Sequence, residues 1–312
     1  GNLTIRPFSL VNSIIYDEKK GKATGVRVID AETHEVTEFY AKVIFSNAST
    51  LGSTFILLNS TSNRFPNGLG NDSGELGHNL MDHTYKVGAM ASIEGFEDQY
   101  YKGRRPNGIY VPRYVNLDEK TRNAKFLRGF GYQGGAGRSN WASGINADGY
   151  GKDFKEKLFK PGPWGMFLTG FGECLPYHDN KVTLNGDAKD KWGQPTLAID
   201  CEFKANELAI NEQIKEDAVE MLETAGFKGV TPFDSECYPG FGIHEMGTAR
   251  MGKDPKTSVL NGFNQMHAVK NVFVTDGACM TSSSCVNPSL TYMAITARAV
   301  DYAVNELKKQ NI

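Results

Sequence analysis

The stretch Asn271-Val272-Phe273-Val274-Thr275-Asp276-Gly277 has the pattern of a short, buried β-strand that ends in an Asp-Gly turn. A polar loop follows, and Asn287-Pro288-Ser289-Leu290 then opens a long helical pattern. Pro288 suits the first turn of a helix, where its missing N–H costs no hydrogen bond. The apolar positions of this helix recur at helical spacing: Met293, Ala297, Val300, Val304 and Leu307. The chain therefore ends in a predicted strand, turn and helix.

A second pattern of this kind lies near the start of the chain. A predicted β-meander over residues 8–46 ends in the apolar run Lys42-Val43-Ile44-Phe45. Small residues that include Ala48 follow, and then Leu51 opens a run with helical spacing. A small-residue turn between a strand and a helix is typical of backbone that lies close to a bound nucleotide. We predict that residues 1–83 and 249–312 belong to one α/β unit and form part of a cofactor-binding domain.

The middle of the chain, residues 84–248, has a different pattern. Short strand-like runs alternate with turns rich in Gly, Pro and Asn, and helices are predicted at residues 151–158 and 205–225. The second of these helices carries its apolar residues on one broad face: Leu208, Ile210, Ile214, Ala218, Met221 and Leu222. This order predicts an α+β fold, in which an antiparallel sheet with helices on one side forms a substrate-binding domain.

Composition excludes several classes of function. The chain has 312 residues, with 34 Lys and Arg against 36 Asp and Glu, which provides no basic face for a nucleic acid. We also expect no membrane span, because no apolar run approaches the roughly 20 residues that one needs. The 5 cysteines are odd in number and lack C-x-x-C spacing, which argues against a disulfide framework or a zinc site. Reduced thiols fit the cytoplasm, and the periplasm remains open.

The stretch Gly129-Phe130-Gly131-Tyr132-Gln133-Gly134 matches the dinucleotide-binding pattern G-x-G-x-x-G. The residues that follow it do not open a helix, so no helix N-terminus would face a pyrophosphate. We therefore predict a glycine-rich strand or turn here. A protein that uses a dinucleotide would need its phosphate loop outside this chain.

A second constellation consists of His244-Glu245-Met246-Gly247 and Asn287. Taken alone, His244 fits a structural histidine better than a functional one, and its context favours the functional interpretation. Gly240-Phe241-Gly242 before it and Gly247 after it would let backbone pack closely around the imidazole. Asn287 lies at the predicted mouth of a helix, directly after the Asp-Gly strand end and its loop.

Together, these blocks resemble the C-terminal half of the glucose–methanol–choline (GMC) oxidoreductases, which are FAD-dependent. The blocks that carry the resemblance are Val43 to Ser49, Gly77-His78-Asn79-Leu80-Met81-Asp82-His83, Gly172 to Pro176, Asn180 to Leu184, the His244 block, Val274 to Gly277, and Asn287-Pro288. Asn287 makes the chain more similar to the His/Asn branch, which includes pyranose oxidase and bacterial sugar dehydrogenases. The resemblance implies that the N-terminal Rossmann half is missing.

The resemblance implies oxidation of an alcohol or a sugar hydroxyl, with a hydride passing to FAD. Its residues would be His244 as the general base, since imidazole titrates near neutral pH, and Asn287 as a hydrogen-bond partner of the substrate oxygen. The cofactor contacts that it implies are Asp276, Gly277, Asn287, Pro288, Ser289, Asn79 and Ala48. For Asp276 and Asn79, capping of a helix or turn is the alternative. Without its N-terminal half the chain would bind FAD weakly and be inactive.

Other interpretations stay open. The chain could be a non-catalytic carbohydrate-binding or interaction module, and a hydrolase that uses Ser283 is disfavoured because no G-x-S-x-G elbow surrounds it. His78 and His83 are five positions apart, which fits no zinc pattern, so we assign no metal. The expected partners are the missing half, a sugar or alcohol substrate and an electron-acceptor protein. A loop at residues 100–114, rich in Tyr and Arg, could stack on a sugar ring or remain a solvated hairpin.

Overall fold

The computed structural model describes residues 2–99, 108–138, 142 and 147–312. Its strands are β1 (Ser9–Asp17), β2 (Lys22–Asp30), β3 (Val36–Tyr40), β4 (Ile44–Ser46), β5 (His83–Ile93), β6 (Gly108–Val111), β7 (Phe130–Arg138), β8 (Trp164–Glu173), β9 (Lys181–Lys189), β10 (Pro195–Asp200), β11 (Lys228–Asp234) and β12 (Val272–Val274). Its helices are α1 (Ser49–Asn59), α2 (Gly151–Phe159), α3 (Ala205–Thr224), α4 (Ser289–Lys308) and a short 3₁₀ turn at Gly277–Cys279.

The two strand–turn–helix patterns of the sequence meet through the parallel pair of β4 and β12, in which Phe273 lies opposite Phe45. Their rings stack with centroids 4.9 Å apart. Because the strands are parallel, the turns that follow them lie at the same edge of the sheet. β1, β2 and β3 form the expected meander beside this pair.

A five-stranded antiparallel sheet, in the order β11-β5-β8-β7-β6, forms the other main layer. Helix α3 covers one face, with Ile210 and Ile214 fully buried. A Cβ at Gly170 of β8 would lie 2.5 Å from the Ile214 side chain, and one at Gly172 would lie 2.6 Å from Ile210. The glycines therefore let the helix approach the sheet closely, which confirms the predicted sheet with helices on one side and the α+β fold class.

The G-x-G-x-x-G stretch forms β7 and opens no helix, which confirms the strand interpretation. Gly134 of β7 lies opposite Leu168 of the neighbouring strand β8. A Cβ on Gly134 would lie 2.2 Å from the Phe167 carbonyl oxygen. The repeated glycines thus reflect close approach of neighbouring strands.

Three details differ from the sequence-based expectation. Leu208, expected in the core, is 56% exposed because α3 turns this position away from the sheet. In α4 the expected apolar face, including Met293 and Val300, is exposed, and the alanines of a neighbouring face, Ala299 and Ala303, pack on β12 instead. The sequence also missed β11, an edge strand that contains Pro232. Residues 100–107 of the loop proposed for sugar stacking lie outside the described residues.

Among the described residues, no helix is both long enough and apolar enough to cross a membrane.

Replacing Ile214 by Ala tests the contact between helix and sheet. Because Ile214 is fully buried, we expect the free energy of unfolding to fall by about 2–5 kcal/mol in urea denaturation. The matched control is Leu208→Ala on the exposed side of the same helix, for which we expect a change within about 0.5 kcal/mol. Equal losses in the two variants would contradict this packing.

Candidate active site

Three separate segments bring two histidines and an asparagine together. His83 Nδ1 lies 2.9 Å from His244 Nδ1, and His244 Nε2 lies 3.4 Å from Asn287 Nδ2. His83 begins β5, His244 lies in the loop after β11, and Asn287 lies two residues before the start of α4. The pair predicted from the sequence, His244 and Asn287, therefore converges across 43 positions of the chain.

The backbone before His244 is held by a buried carboxylate. Asp82 is 2% exposed and accepts hydrogen bonds from the backbone N–H groups of Gly240, Gly242 and His244, at 2.6, 3.0 and 3.1 Å. Ile243, between the last two, has a φ of 55°, which is an unfavourable conformation for a β-branched residue. The hydrogen bonds to Asp82 therefore hold a strained turn in place and set the position from which His244 projects.

A second connection ties the same loop to the segment before β5. Met81 and Met246 exchange backbone hydrogen bonds of 2.9 Å in both directions. Farther along, Arg250 forms an ion pair with Glu75 at 3.2 Å. The loop is thus anchored on both sides of His244.

The environment keeps both imidazoles neutral at neutral pH. His83 has no exposed surface, and burial, followed by the nearby His244, lowers the pKa of its ring. His244 is half-buried, and burial likewise lowers its pKa, although the Asp82 carboxylate acts in the opposite direction. A neutral imidazole with an accessible nitrogen is a competent proton acceptor.

Two of the predicted cofactor residues lie where β4 and β12 end. Asp276 accepts a hydrogen bond from Ser53 Oγ at 2.5 Å, and the Ala48 N–H donates to that same Oγ at 3.1 Å. Asp276 also accepts from the Ala278 N–H and caps the 3₁₀ turn, which is the alternative named for it. Burial raises the pKa of Asp276.

The remaining predicted residues have other contacts. Gly277 is buried, and a Cβ there would lie 2.3 Å from Thr50 Oγ1, so packing within the chain already explains this glycine. Asn79 is buried in a left-handed turn with a φ of 62° and donates to Glu75, as the turn alternative predicts. Pro288 is the N-cap of α4 and makes no side-chain capping bond, and Ser289 beside it is exposed.

Sequence reasoning missed Gln133 and did not pair His83 with His244. Gln133 Nε2 donates to Asn287 Oδ1 at 2.6 Å, although Gln133 precedes Asn287 by 154 positions. A usable signal was that Gln133 is an isolated amide within a glycine-rich strand. His78, by contrast, stacks on His178 with centroids 4.1 Å apart and has no part in this cluster. Among the described residues, no group of three or more His, Cys, Asp or Glu could hold a metal ion.

Replacing Asp82 by Ala tests the anchor of the His244 loop. The change leaves three backbone N–H groups without their acceptor, so we expect a loss of at least about 1.5–3 kcal/mol in unfolding free energy, measured in urea. The control is Asp200→Ala at an exposed position of β10. A loss no larger than that of the control would show that Asp82 does not hold the loop.

The lowered pKa values predict how stability depends on pH. Below the ordinary histidine pKa of 6.5 the unfolded chain takes up protons that buried His83 resists. The free energy of unfolding should therefore fall as pH drops from 6.5 towards about 5.5, by up to about 1.4 kcal/mol per pH unit for each histidine. His83→Asn should flatten this slope in urea titrations, and an unchanged slope would contradict burial of a neutral His83.

Comparison with known proteins bears out the family. Two models described as GMC oxidoreductase match the chain, an N-terminal one at residues 1–85 and a C-terminal one at residues 176–296. The expectation that the N-terminal part of the family is missing is therefore wrong for residues 1–85, which match it.

Individual relatives agree. The chain is 34% identical to 2-methyl-1,2-propanediol dehydrogenase of Mycolicibacterium austroafricanum over 91% of this chain and 51% of that protein. It is 26% identical to the fructose dehydrogenase large subunit of Gluconobacter japonicus over 96% of this chain and 54% of that protein. The chain thus spans about half the length of these relatives.

Solved structures show the same fold. A formate oxidase variant from Aspergillus oryzae superimposes with a TM-score of 0.65 and 16% identity, over 96% of this chain and 60% of that one. The fold, the family models and the relatives all lead to one assignment: this chain belongs to the GMC oxidoreductase family.

Proposed function

We propose that this protein oxidises an alcohol or a sugar hydroxyl with FAD, and that His244 is the general base. The proposal rests on the positions of His244 and Asn287. Nε2 of His244 lies 3.4 Å from Nδ2 of Asn287, and Asn287 adjoins Pro288, the N-cap of α4. An alcohol oxygen placed beside this pair, within hydrogen-bond distance of both nitrogens, could give its proton to the imidazole and accept a hydrogen bond from the carboxamide.

The residues at this edge fit a flavin. Helix α4 begins without a side-chain cap, so its positive N-terminus is open to an electron-rich group beside Asn287. FAD bound here would supply the hydride acceptor, a function that no side chain provides. We propose that Pro288, Ser289 and Asn287 face the flavin ring, while the remaining contacts come from the segments that adjoin it: Asp276, Gly277, Asn79 and Ala48. In this proposal residues 1–83 and 249–312 contribute to the FAD domain, and residues 84–248 bind the substrate.

The side chains divide the work between binding and proton transfer. Gln133 holds the oxygen of Asn287 and so turns the amino group of Asn287 towards His244 and the substrate. His244 is neutral and receives the hydroxyl proton at Nε2, which leaves the substrate oxygen free to form a carbonyl as the hydride departs. Fixing both groups before reaction lowers the entropic part of the barrier.

The surface next to Asn287 supports a small polar substrate. An open depression of about 540 Å³ is lined by Tyr110, Gln133 and Asn287, among others. An aromatic ring beside two carboxamides suits a polyol, whose C–H face can pack on the ring while its hydroxyls bond to the amides. The relatives named for a propanediol and for fructose agree with this class.

We also propose that the chain works with further polypeptide. G-x-G-x-x-G forms strand β7 here and offers no helix N-terminus for a pyrophosphate, so we expect another segment to provide that cradle. The fructose dehydrogenase relative is named a large subunit, which supports a partner subunit, and we propose that such a partner accepts the electrons.

Replacing His244 by Ala in the FAD-loaded protein tests the base. We expect kcat/KM for diol and sugar donors to fall by about 10²–10⁴-fold, since a positioned base contributes that much. His34→Ala, at an exposed turn, is the control and should keep full turnover. Unchanged turnover in the His244 variant would remove this residue from the mechanism.

FAD affinity tests the proposed need for further polypeptide. We expect this chain alone to bind FAD weakly in a fluorescence titration and to show no turnover, because its glycine-rich stretch forms a strand and gives the pyrophosphate no glycine-rich loop at the start of a helix. A preparation that retains stoichiometric FAD through gel filtration would contradict the expectation. Sugar binding by calorimetry that is independent of FAD and without turnover in any form would favour the non-catalytic carbohydrate-binding module instead.

A further inference from the structure

We propose that His83 is a positioning residue: through its imidazole it holds His244 in the tautomer whose Nε2 carries a lone pair. The catalytic consequence rests on the proposed function, but the assignment of the tautomer does not. It follows from the direction of each hydrogen bond in a chain that runs from two backbone carbonyls to Gln133.

The chain of hydrogen bonds begins at groups that can only accept. His83 Nε2 lies 3.1 Å from the carbonyl oxygen of Ser283 and 3.0 Å from that of Ser284. A carbonyl has no proton to give, so Nε2 of His83 must carry the hydrogen. Ser284 adopts a left-handed conformation with a φ of 59°, which helps a single loop present two carbonyls to one N–H.

In the next hydrogen bond, between His83 and His244, His83 must be the acceptor. In neutral His83 the second nitrogen, Nδ1, is an acceptor, and it lies 2.9 Å from His244 Nδ1. The hydrogen of His244 is therefore on its Nδ1, and its Nε2 is left with a lone pair. Two acceptors facing each other at this distance would be repulsive, which disfavours the other tautomer of His244.

At the other end of this series of hydrogen bonds lie Asn287 and Gln133. Gln133 Nε2 donates to Asn287 Oδ1 at 2.6 Å, so the amino group of Asn287 is the part that faces His244. That amino group lies 3.4 Å from His244 Nε2 and can only donate to it. This arrangement agrees with the unprotonated Nε2 on His244 that the bonds through His83 require, and Nε2 is the atom that must receive a proton from an alcohol.

Burial keeps His83 in the neutral form that this arrangement needs. Burial is the main cause of its lowered pKa and the neighbouring His244 is the second, while Asp82 and the two carbonyls oppose them. The Asp82 carboxylate is committed to backbone N–H groups, including that of His244, and not to either ring. An imidazole therefore takes the place that a carboxylate or backbone carbonyl often occupies behind a catalytic histidine.

The assignment makes a specific statement about proton transfer. When the substrate O–H bond breaks, the proton forms the Nε2–H bond of His244, which becomes an imidazolium. Its Nδ1–H still donates to the lone pair on His83, so the His83–His244 bond keeps its direction, while the Asn287 amino group no longer has a lone pair to donate to on the newly protonated Nε2. If His83 were protonated, its Nδ1–H would instead point at His244 and force the lone pair of His244 onto the wrong nitrogen.

Nitrogen NMR of the chain labelled with ¹⁵N-histidine tests the proposal directly. The chain has 6 histidines, and two-bond proton–nitrogen correlations distinguish the two tautomers of each neutral ring. We expect Nε2–H for His83 and Nδ1–H for His244 at neutral pH. A His244 ring with its proton on Nε2 would overturn the assignment, whether or not any variant folds.

Variants at His83 separate positioning from simple filling of space. His83→Leu removes the acceptor, so we expect His244 to revert towards the Nε2–H form. His83→Asn offers a carboxamide oxygen near the Nδ1 position and should restore the Nδ1–H form. His78→Leu is the control and should leave the His244 signals unchanged, since His78 stacks on His178. Retention of the tautomer in His83→Leu, or failure of His83→Asn to restore it, would overturn the proposal.

The kinetic readout distinguishes this inference from the proposed function. In the FAD-loaded protein we expect His83→Leu to lower kcat by about 10²-fold or more, with partial recovery in His83→Asn, because a base in the wrong tautomer cannot accept the proton. If the NMR result holds but His244→Ala keeps its turnover, the proposed function fails while the tautomer assignment stands. If His244 proves essential but carries its proton on Nε2, only the role of His83 fails.

Discussion

The candidate site depends on one buried carboxylate. Asp82 accepts three backbone hydrogen bonds from residues 240–244, and these bonds hold a turn that is unfavourable on its own because Ile243 has a positive φ. Asp82 and His83 are adjacent in the chain, so the same stretch that anchors the loop also supplies the imidazole that meets His244. The position of the loop at residues 240–244 and the orientation of the His244 ring therefore both depend on the adjacent residues Asp82 and His83.

Several glycines of this fold allow close packing within the chain. In β8, Gly170 and Gly172 admit the isoleucines of α3, and Gly277 makes room for Thr50 and the backbone of Glu245. A glycine-rich stretch is consequently a weak guide to a nucleotide site unless a helix begins directly after it. The same caution applies to Asp276, whose carboxylate already caps a turn and accepts from Ser53.

Local patterns were sufficient for much of the architecture. The apolar runs ending at Phe45 and Thr275 predicted two short buried strands, and the structure pairs them in parallel. The spacing of apolar residues did not predict burial correctly in α3 and α4. Leu208 and Met293 are apolar but exposed, because these helices pack other faces against their sheets. The sequence pattern did not predict the edge strand β11, because its proline and polar residues do not alternate regularly with apolar ones.

The sequence by itself determined most of the strands and helices, the family resemblance, and the choice of His244 and Asn287 as candidate site residues. Only the tertiary structure decided that His83 stands behind His244 and that Gln133 orients Asn287, since these contacts join residues 161 and 154 positions apart. The physical reason is that the direction of a hydrogen bond depends on which donors and acceptors face one another. Residue type and spacing show which hydrogen-bond donors and acceptors the chain contains, but which of them pair depends on the folded structure.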